Sequence, residues 1–393
     1  MEHCASISTQ ISMNQGKYRV AAIVLLWPIF VNVMAPQASG PSDAAAALEQ
    51  QGKFFEAAEI WRAVTEHNPH DAAAFASLGI DLARQQKYAE AVPAYQKALA
   101  LNPRLPGIKL DLGLAEFKQG HFQAAIAPLS AAFAAAPRSD QARTLLGMSY
   151  YGAGRFAEAV KYLAPIVKAD PTNVELRNVL AQSCLKSKNY SCASEHFRAI
   201  LQQDPDSVAA HILMGEALDG LQKTDEAIAE FQAAAKISPR EPDLHFGLGY
   251  LYWKSHDYDR AKPEFQAELA LDPNHASALA YLGDIALKNN DIGTAASLLE
   301  KSVQQKSNVR IAYLDLGAAR MQQKQFPEAL KALQHAVELD PTQPDAHYRL
   351  GRVYQALGNS AEAQREFSKT RTLHQKADAA VVLTKPTAPV PGN

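Results

Sequence analysis

The chain has 393 residues, of which 47% are hydrophobic and 20% are charged, and these proportions exclude a disordered chain, a collagen and a multi-span membrane protein. Lys and Arg total 39 against 41 Asp and Glu, for a net charge of −2, so we do not expect a dedicated nucleic-acid binder. Three cysteines are too few for a disulfide-dense scaffold or a multi-Cys zinc array.

A short apolar run near the N-terminus predicts export. Lys17 and Arg19 stand directly before twelve apolar residues, Val20 to Val31. A cationic flank followed by an apolar run of this length is typical of an export signal, and the run is shorter than the roughly 20 residues that a membrane-spanning helix needs. The alternative that it is a buried core helix is weaker, because no partner pattern precedes it.

The cleavage site of this segment is poor, because Pro36 directly follows Ala35. An uncleaved anchor at residues 20–35 is therefore the second alternative, and it would be the chain's one contact with a membrane. In both cases the positively charged flank favours an N-terminus that stays in the cytoplasm, with the rest of the chain translocated across the membrane. We expect residues 1–41 to lie outside the fold and the remainder to be periplasmic or in the cell envelope.

A 34-residue period organises the rest of the chain. If the recurring proline is numbered position 32 of each repeat, then glycine recurs at position 8, alanine at position 20, and Leu or an aromatic residue at position 24. The prolines are Pro69, Pro103, Pro137, Pro171, Pro205, Pro239, Pro273 and Pro341, with Ser307 in the remaining slot. Several residue types recurring in phase without gaps predict tandem structural repeats.

Each repeat reads as two antiparallel helices. Positions 4, 7, 8 and 11 are apolar or small, as in Phe75, Leu78 and Leu82, and this spacing is one face of a helix. Positions 17, 20, 21 and 24 form a second such face after a short polar turn. We expect Gly at position 8 to face Ala at position 20, so that the two backbones approach closely. The proline then ends the second helix and fixes the turn into the next repeat.

This pattern resembles the tetratricopeptide repeat, whose signature combines Leu-Gly, a later Tyr, Ala then Phe, and a terminal Pro at period 34. The resemblance covers residues 38–375 and implies an all-α fold, a right-handed superhelical solenoid of about ten helix-turn-helix repeats over residues 42–375. Residues 376–393 contain three prolines and no periodicity, so we expect a disordered tail there.

The resemblance also implies that positions 2, 5, 9, 12 and 13 line a concave groove. Large apolar side chains with charges beside them are typical of binding hot spots, and such residues occur at these positions in the third, fourth, seventh and tenth repeats. The candidates for partner binding are Phe246, Tyr250, Trp253, Lys254, Phe117, Lys118, Met148, Tyr151, Tyr348 and Arg352. The alternative is that these residues pack against an adjacent repeat.

Cys184 and Cys192 occupy positions 11 and 19 of the fifth repeat, on facing helices of one hairpin. In an oxidising exported compartment the two residues could form a disulfide. Two thiols that merely pack are an equal alternative, since position 19 normally points outward.

The chain contains no HExxH, GxSxG, phosphate-loop or CxxC motif, so we expect no enzyme activity, no cofactor and no metal. The leading hypothesis is a scaffold that binds an extended peptide or a partner helix in its groove, as part of an envelope or secretion complex. The alternatives are a glycan-binding protein of the envelope, with Phe246, Tyr250 and Trp253 stacking on sugar rings, and a regulatory subunit of a separately encoded enzyme.

Overall fold

The computed structural model describes residues 40–384, with side chains as far as residue 379. All regular structure within this range is α-helical, and no helix in it is long and apolar enough to cross a membrane. The described chain divides into a first unit, residues 40–222, and a second unit, residues 223–384. The expected export segment, residues 1–41, lies outside the described residues except for its last two positions.

The first unit consists of eleven helices, each ended by a short turn. They are α1 (Pro41–Gln50), α2 (Phe54–His67), α3 (Ala72–Arg84), α4 (Tyr88–Leu101), α5 (Ile108–Lys118), α6 (Phe122–Ala135), α7 (Asp140–Gly152), α8 (Phe156–Ala169), α9 (Val174–Lys186), α10 (Tyr190–Leu201) and α11 (Val208–Gly220).

The second unit consists of nine helices with the same alternation. They are α12 (Thr224–Ile237), α13 (Leu244–Lys254), α14 (Tyr258–Leu271), α15 (Ala276–Lys288), α16 (Ile292–Gln305), α17 (Arg310–Gln322), α18 (Phe326–Leu339), α19 (Pro344–Ala356) and α20 (Ser360–Thr384).

These helices confirm the predicted all-α fold, and first and second helices alternate along the described chain in phase with the 34-residue period. Inside each unit every helix packs against the next helix in the chain, and first helices of successive repeats also touch one another. The first helices therefore form one layer of each unit, and the second helices form the other. This is the arrangement of a repeat protein, in which each hairpin buries its apolar side against its neighbours.

The glycine at position 8 packs against the residue at position 24, whose atoms lie nearest to the place that a Cβ would occupy, a contact that our expectation of Ala at position 20 did not include. A Cβ atom added to Gly283 would lie 2.6 Å from Cγ of Leu299, which is closer than two carbon atoms can approach without displacement. The same contact recurs in both units, as Gly79–Tyr95, Gly113–Leu129, Gly147–Leu163, Gly249–Phe265, Gly317–Leu333 and Gly351–Phe367. The position-20 alanines are buried as well.

The turn inside every hairpin contains one residue in the left-handed region, always at position 15, with φ between +59° and +79°. These residues are Gly52, Gln86, Gly120, Gly154, Lys188, Gln222, His256, Asn290, Lys324 and Gly358. Glycine and asparagine adopt this conformation readily, but half of the repeats use other residues. The packing of the two helices therefore imposes the conformation on the turn.

A polar contact at position 4 ties the start of several first helices to the preceding turn. There the side chain donates a hydrogen bond to the carbonyl oxygen of the period's proline, six residues earlier. The pairs are Arg143–Pro137, Arg177–Pro171, His211–Pro205, His245–Pro239 and His347–Pro341. His245 also contacts Glu264, with 2.7 Å between Nδ1 and Oε2. Burial lowers the pKa of His245, but its contacts with Glu264 and Pro239 raise it more, so the net shift is upward.

The last helix, α20, is 25 residues long and runs to Thr384. Residues 376–384 are thus helical, where we expected a disordered tail. Apolar periodicity is absent beyond residue 375, so the helical extension could not be predicted from it. The remainder of the predicted tail, residues 385–393, lies outside the described residues.

We predict opposite effects for two Gly-to-Ala substitutions in the eighth repeat. Gly283→Ala places a methyl group against Leu299 and lowers the free energy of unfolding by about 1–3 kcal/mol. Gly293→Ala, in α16, has nothing within 4 Å of the new Cβ and raises it by up to about 1 kcal/mol through helix propensity. Urea unfolding followed by circular dichroism measures both, and equal effects of the two variants would contradict the packing described here.

Candidate interaction face

The candidate site lies on the first helices of the second unit. Helices α13, α15, α17 and α19 present positions 5, 6, 9, 12 and 13 on one side, which we call the first-helix face of the second unit. Four of the sequence candidates occupy α13 and two occupy α19. The face combines an aromatic cluster at α13 and α15 with a set of ion pairs running from α15 to α19.

The aromatic cluster is largely internal. Tyr250 stacks beside Trp253 with ring centroids 6.1 Å apart, and Tyr281 meets the Trp253 ring edge-on at 4.8 Å. Phe246 lies beneath them and is only 3% exposed, packed against Tyr281 and against Phe265 at 5.9 Å. The structure therefore places Phe246 in the core, where it cannot serve as a surface anchor. Tyr250 and Trp253 are half-buried and Lys254 is exposed.

A buried carboxylate fixes the orientation of the tryptophan. Trp253 Nε1 donates a hydrogen bond to Asp284 Oδ2 at 2.5 Å, and Lys288 forms an ion pair with the same carboxylate. The Lys288 ammonium lies 5.6 Å from the centre of the Trp253 ring and 5.5 Å from that of Tyr258. Asp284 is 6% exposed, whereas the Lys288 side chain keeps 37% of its surface.

A second buried carboxylate lies one repeat further on. Arg349 Nη1 donates to Asp315 Oδ1 at 3.0 Å and to the carbonyl oxygen of Leu314, also at 3.0 Å. Burial raises the pKa of Asp315 to about 6, the nearby charge of Asp284 adds to the rise, and Arg349 opposes it. Asp315 is 3% exposed, whereas the Arg349 side chain is 34% exposed. As at Asp284, the acid lies inside and part of the cation faces water.

The tenth repeat carries the most exposed part of the face. Tyr348 is 48% exposed, and Arg352, also exposed, donates to its hydroxyl group at 3.4 Å. At the edge of the face Arg310 of α17 forms an ion pair with Asp345 of α19. The candidates Tyr348 and Arg352 are thus brought together on α19, and both are accessible to a partner.

The first unit carries the remaining candidates on α5 and α7. Phe117 packs edge-on against Phe122 at 5.5 Å, and Tyr151 packs against Phe156 at 5.9 Å. Tyr151 also donates its hydroxyl proton to Gln182 Oε1 at 2.7 Å, which ties α7 to α9. These rings join the helices of a hairpin or neighbouring repeats. Met148 is half-buried and Lys118 is exposed.

Acidic side chains are buried in the first unit as well, but with less compensation. Asp81 is fully buried, and neither of its carboxylate oxygens has a hydrogen-bond partner. Burial raises its pKa to about 7, with a smaller contribution from Glu49, while Arg84 opposes the rise. Burial likewise raises the pKa of Asp111 to about 6, against Arg84, and that of Glu216 to about 8, against Lys186. Of these three acids, Glu216 alone has a pKa above 7 and favours its protonated form at neutral pH.

Asp243, Glu268 and His275 bring three potential metal ligands within 4.8 Å of one another. Their atoms already have partners, however. Glu268 accepts hydrogen bonds from the backbone N–H groups of Asp243 and Phe246 at 3.1 and 3.0 Å. His275 Nδ1 accepts from Ala278 N at 3.0 Å, so its proton lies on Nε2, which donates to Asp243 at 2.9 Å. The cluster is therefore a network that stabilises the starts of α13 and α15.

The two cysteines of the fifth repeat are joined. A disulfide links Cys184 of α9 to Cys192 of α10. The two residues are therefore bonded and are not separate thiols that merely pack. Cys184 is fully buried and Cys192 is half-buried. The bridge fastens together the two helices of a hairpin whose position 8 carries Ala181 in place of glycine.

Three residues of the face were missed by the sequence analysis: Tyr281, Asp315 and Arg349. All three occupy position 6, which the resemblance did not assign to the groove. A signal was present, since Asp315 and Arg349 are opposite charges at the same position 6 of two successive first helices, α17 and α19. Together with acids at position 9, they mark polar contacts between neighbouring first helices.

Comparison with known protein families identifies the same repeat as the sequence pattern and the helices. Family models described as TPR repeat or tetratricopeptide repeat match residues 81–120, 110–174, 150–217, 220–255, 246–309, 317–358 and 345–376. No curated protein matches the chain.

Solved structures that resemble the chain include three of interest. Yeast Tom70 is 14% identical with a TM-score of 0.41, over 87% of this chain and 95% of that one. MamA from Desulfovibrio magneticus RS-1 is 26% identical with a TM-score of 0.38, over 44% and 97%. YrrB, described as a TPR protein with an unusual peptide-binding site, is 21% identical with a TM-score of 0.38, over 49% and 98%.

The buried acid Asp81 predicts a pH-dependent stability. Because its pKa is raised in the fold, its stabilising protonated form is retained at low pH and is lost as pH rises from about 4 through about 7. Asp81→Asn should therefore raise the free energy of unfolding at pH 8 by ~1 kcal/mol and change it little at pH 4. Asp170→Asn in an exposed turn is the control.

Urea midpoints at pH 4, 6 and 8 measure this effect. The free energy of unfolding of Asp81→Asn relative to wild type should rise with pH, whereas that of Asp170→Asn should not rise, because the hydrogen bonds from Thr172 lower the pKa of Asp170 and favour its ionised form in the fold. If the difference in free energy of unfolding between Asp81→Asn and wild type stays constant or decreases as pH rises, burial does not raise the pKa of Asp81.

Proposed function

This chain belongs to the tetratricopeptide repeat family, and we propose that it binds an extended peptide or a partner helix on its first-helix faces and helps to assemble an envelope or secretion complex. Repeats of this kind are typical of non-enzymatic scaffolds, and the family supports a protein–protein interaction scaffold. The finer proposal concerns where the partner binds and in which compartment.

The observation that carries the proposal is the exposure of Tyr348 beside Arg352. Tyr348 keeps 48% of its surface exposed. This is unusual for an aromatic side chain, because burying a ring of this size lowers the free energy. Aromatic and Arg side chains are also the residues enriched at the energetic centres of protein interfaces. A bound partner that covers the Tyr348 ring would bury the apolar surface that is exposed on α19.

Two features support export. The disulfide between Cys184 and Cys192 is of a kind that persists in oxidising compartments and is rare in the cytosol. The cationic and apolar segment before residue 32 is typical of an export signal. Both features are consistent with a scaffold in the cell envelope.

The contacts give little support to glycan binding, the first alternative. Stacking on a sugar requires an accessible ring face, but Phe246 is buried and Trp253 is covered by the Lys288 ammonium and by two tyrosines. The second alternative, regulation of a separately encoded enzyme, has no contact in its favour. We therefore propose a protein or peptide as the partner.

Affinity capture from an envelope extract tests the proposal. The bait carrying Tyr348→Ala and Arg352→Ala should recover the main partners at one tenth or less of the wild-type yield, because the accessible anchors are gone while the core is unchanged. Leu271→Ala, which removes an apolar side chain 40% exposed at the end of α14, is the control and should behave as wild type. Equal recovery by all three baits would contradict the assignment of the face.

A further inference from the structure

We infer that the first-helix face of the second unit selects an acidic peptide segment, one that carries several Asp or Glu side chains and an apolar residue. This inference rests on the proposed function and adds the chemistry of the partner to it. It follows from how the charges of the face are distributed between its interior and its surface.

The carboxylates in the middle of this face are internal. Asp284 and Asp315 are 6% and 3% exposed, and they accept bonds from Trp253, Lys288 and Arg349 within the face. A partner bound to the face would therefore make little contact with these two carboxylates. At the edge, Asp345 is exposed but is matched by Arg310.

The cations of the same face remain accessible. The Lys288 and Arg349 side chains keep about a third of their surface, and Arg352 is exposed with a contact to an uncharged hydroxyl group. Two buried carboxylates thus stand against the partly exposed side chains of Lys288 and Arg349 and the exposed side chains of Arg352 and Lys254. A ligand bound here meets a positive surface, and complementary charge favours a negative one.

The face also supplies an apolar contact, since Tyr348 lies on α19 next to Arg349 and one turn before Arg352, and is half exposed. Helices α15 and α19 are two first helices apart, which corresponds to roughly 16–20 Å at ordinary helix spacing. An extended peptide covers that distance in about five or six residues. We expect acidic residues at about that separation, with an apolar residue near the second one.

A duplex nucleic acid would also present negative charge, but it is the weaker choice. The whole chain has a net charge of −2, so it lacks the extended positive field on which phosphate-backbone binding depends. A basic peptide would meet the exposed cations directly and be repelled. Binding of a duplex nucleic acid and binding of a basic peptide are both included as outcomes of the test.

Selection from a random peptide library tests the inference without a known partner. Peptides of twelve residues are displayed with their C-termini fused to the carrier, which removes the terminal carboxylate as a ligand, and are selected on the full chain. The expected result is enrichment of Asp and Glu. The tightest peptide is then synthesised with an amidated C-terminus for binding measurements, together with a version in which Gln and Asn replace Glu and Asp.

Arg352→Glu should weaken binding of the acidic peptide at least tenfold, and so should the neutral peptide sequence. Lys301→Glu makes the same charge change on an exposed residue of α16, a second helix, and should leave binding unchanged. Enrichment of Lys and Arg, no charge bias, no effect of Arg352→Glu, or equally tight binding of a 20-base-pair duplex would overturn the inference while leaving a peptide-binding scaffold intact. Failure to enrich any peptide would contradict the proposed function as well.

Discussion

The structure depends on one packing contact, between the glycine at position 8 and the large side chain at position 24 of the same repeat. At Gly283 the missing Cβ leaves the space that Leu299 fills. Since interiors are packed as tightly as organic crystals, the distance between the two helices of a hairpin is set by this pair. The contact recurs along both units, so successive hairpins present similar surfaces to their neighbours.

The sequence was sufficient for the fold because the period is carried by side chains that pack. Proline, glycine, alanine and the position-24 residue recur in phase; the glycine and the position-24 residue contact each other, the alanine is buried, and several of the prolines accept a hydrogen bond from position 4. The contact of Gly283 with Leu299 was not predicted, because spacing along a helix places Gly283 on a face but does not say which residue of the second helix lies nearest to it. Residues at position 15 carried little signal, since the helix packing imposes their left-handed conformation.

The interaction face was harder to predict. Phe246 has the position expected of a groove residue, yet α13 begins only at Leu244, and its ring turns into the core against Phe265 and Tyr281. Arg349 was missed because position 6 is usually concerned with packing. Tyr348 and Arg352 were found correctly as surface residues because α19 leaves them uncovered. Residues assigned to the groove by the resemblance are thus exposed where no neighbouring ring competes for the same space.

The most direct test of the account is hydrogen–deuterium exchange of the full chain, compared between wild type and Gly283→Ala. If hairpins are stabilised by their own glycine contact and by their immediate neighbours, amides of α15 and α16 should exchange faster in the variant, those of α14 and α17 slightly faster, and those of α1 to α6 unchanged. Uniformly faster exchange over all ten hairpins, or no change at α15 and α16, would contradict the central role of the contact.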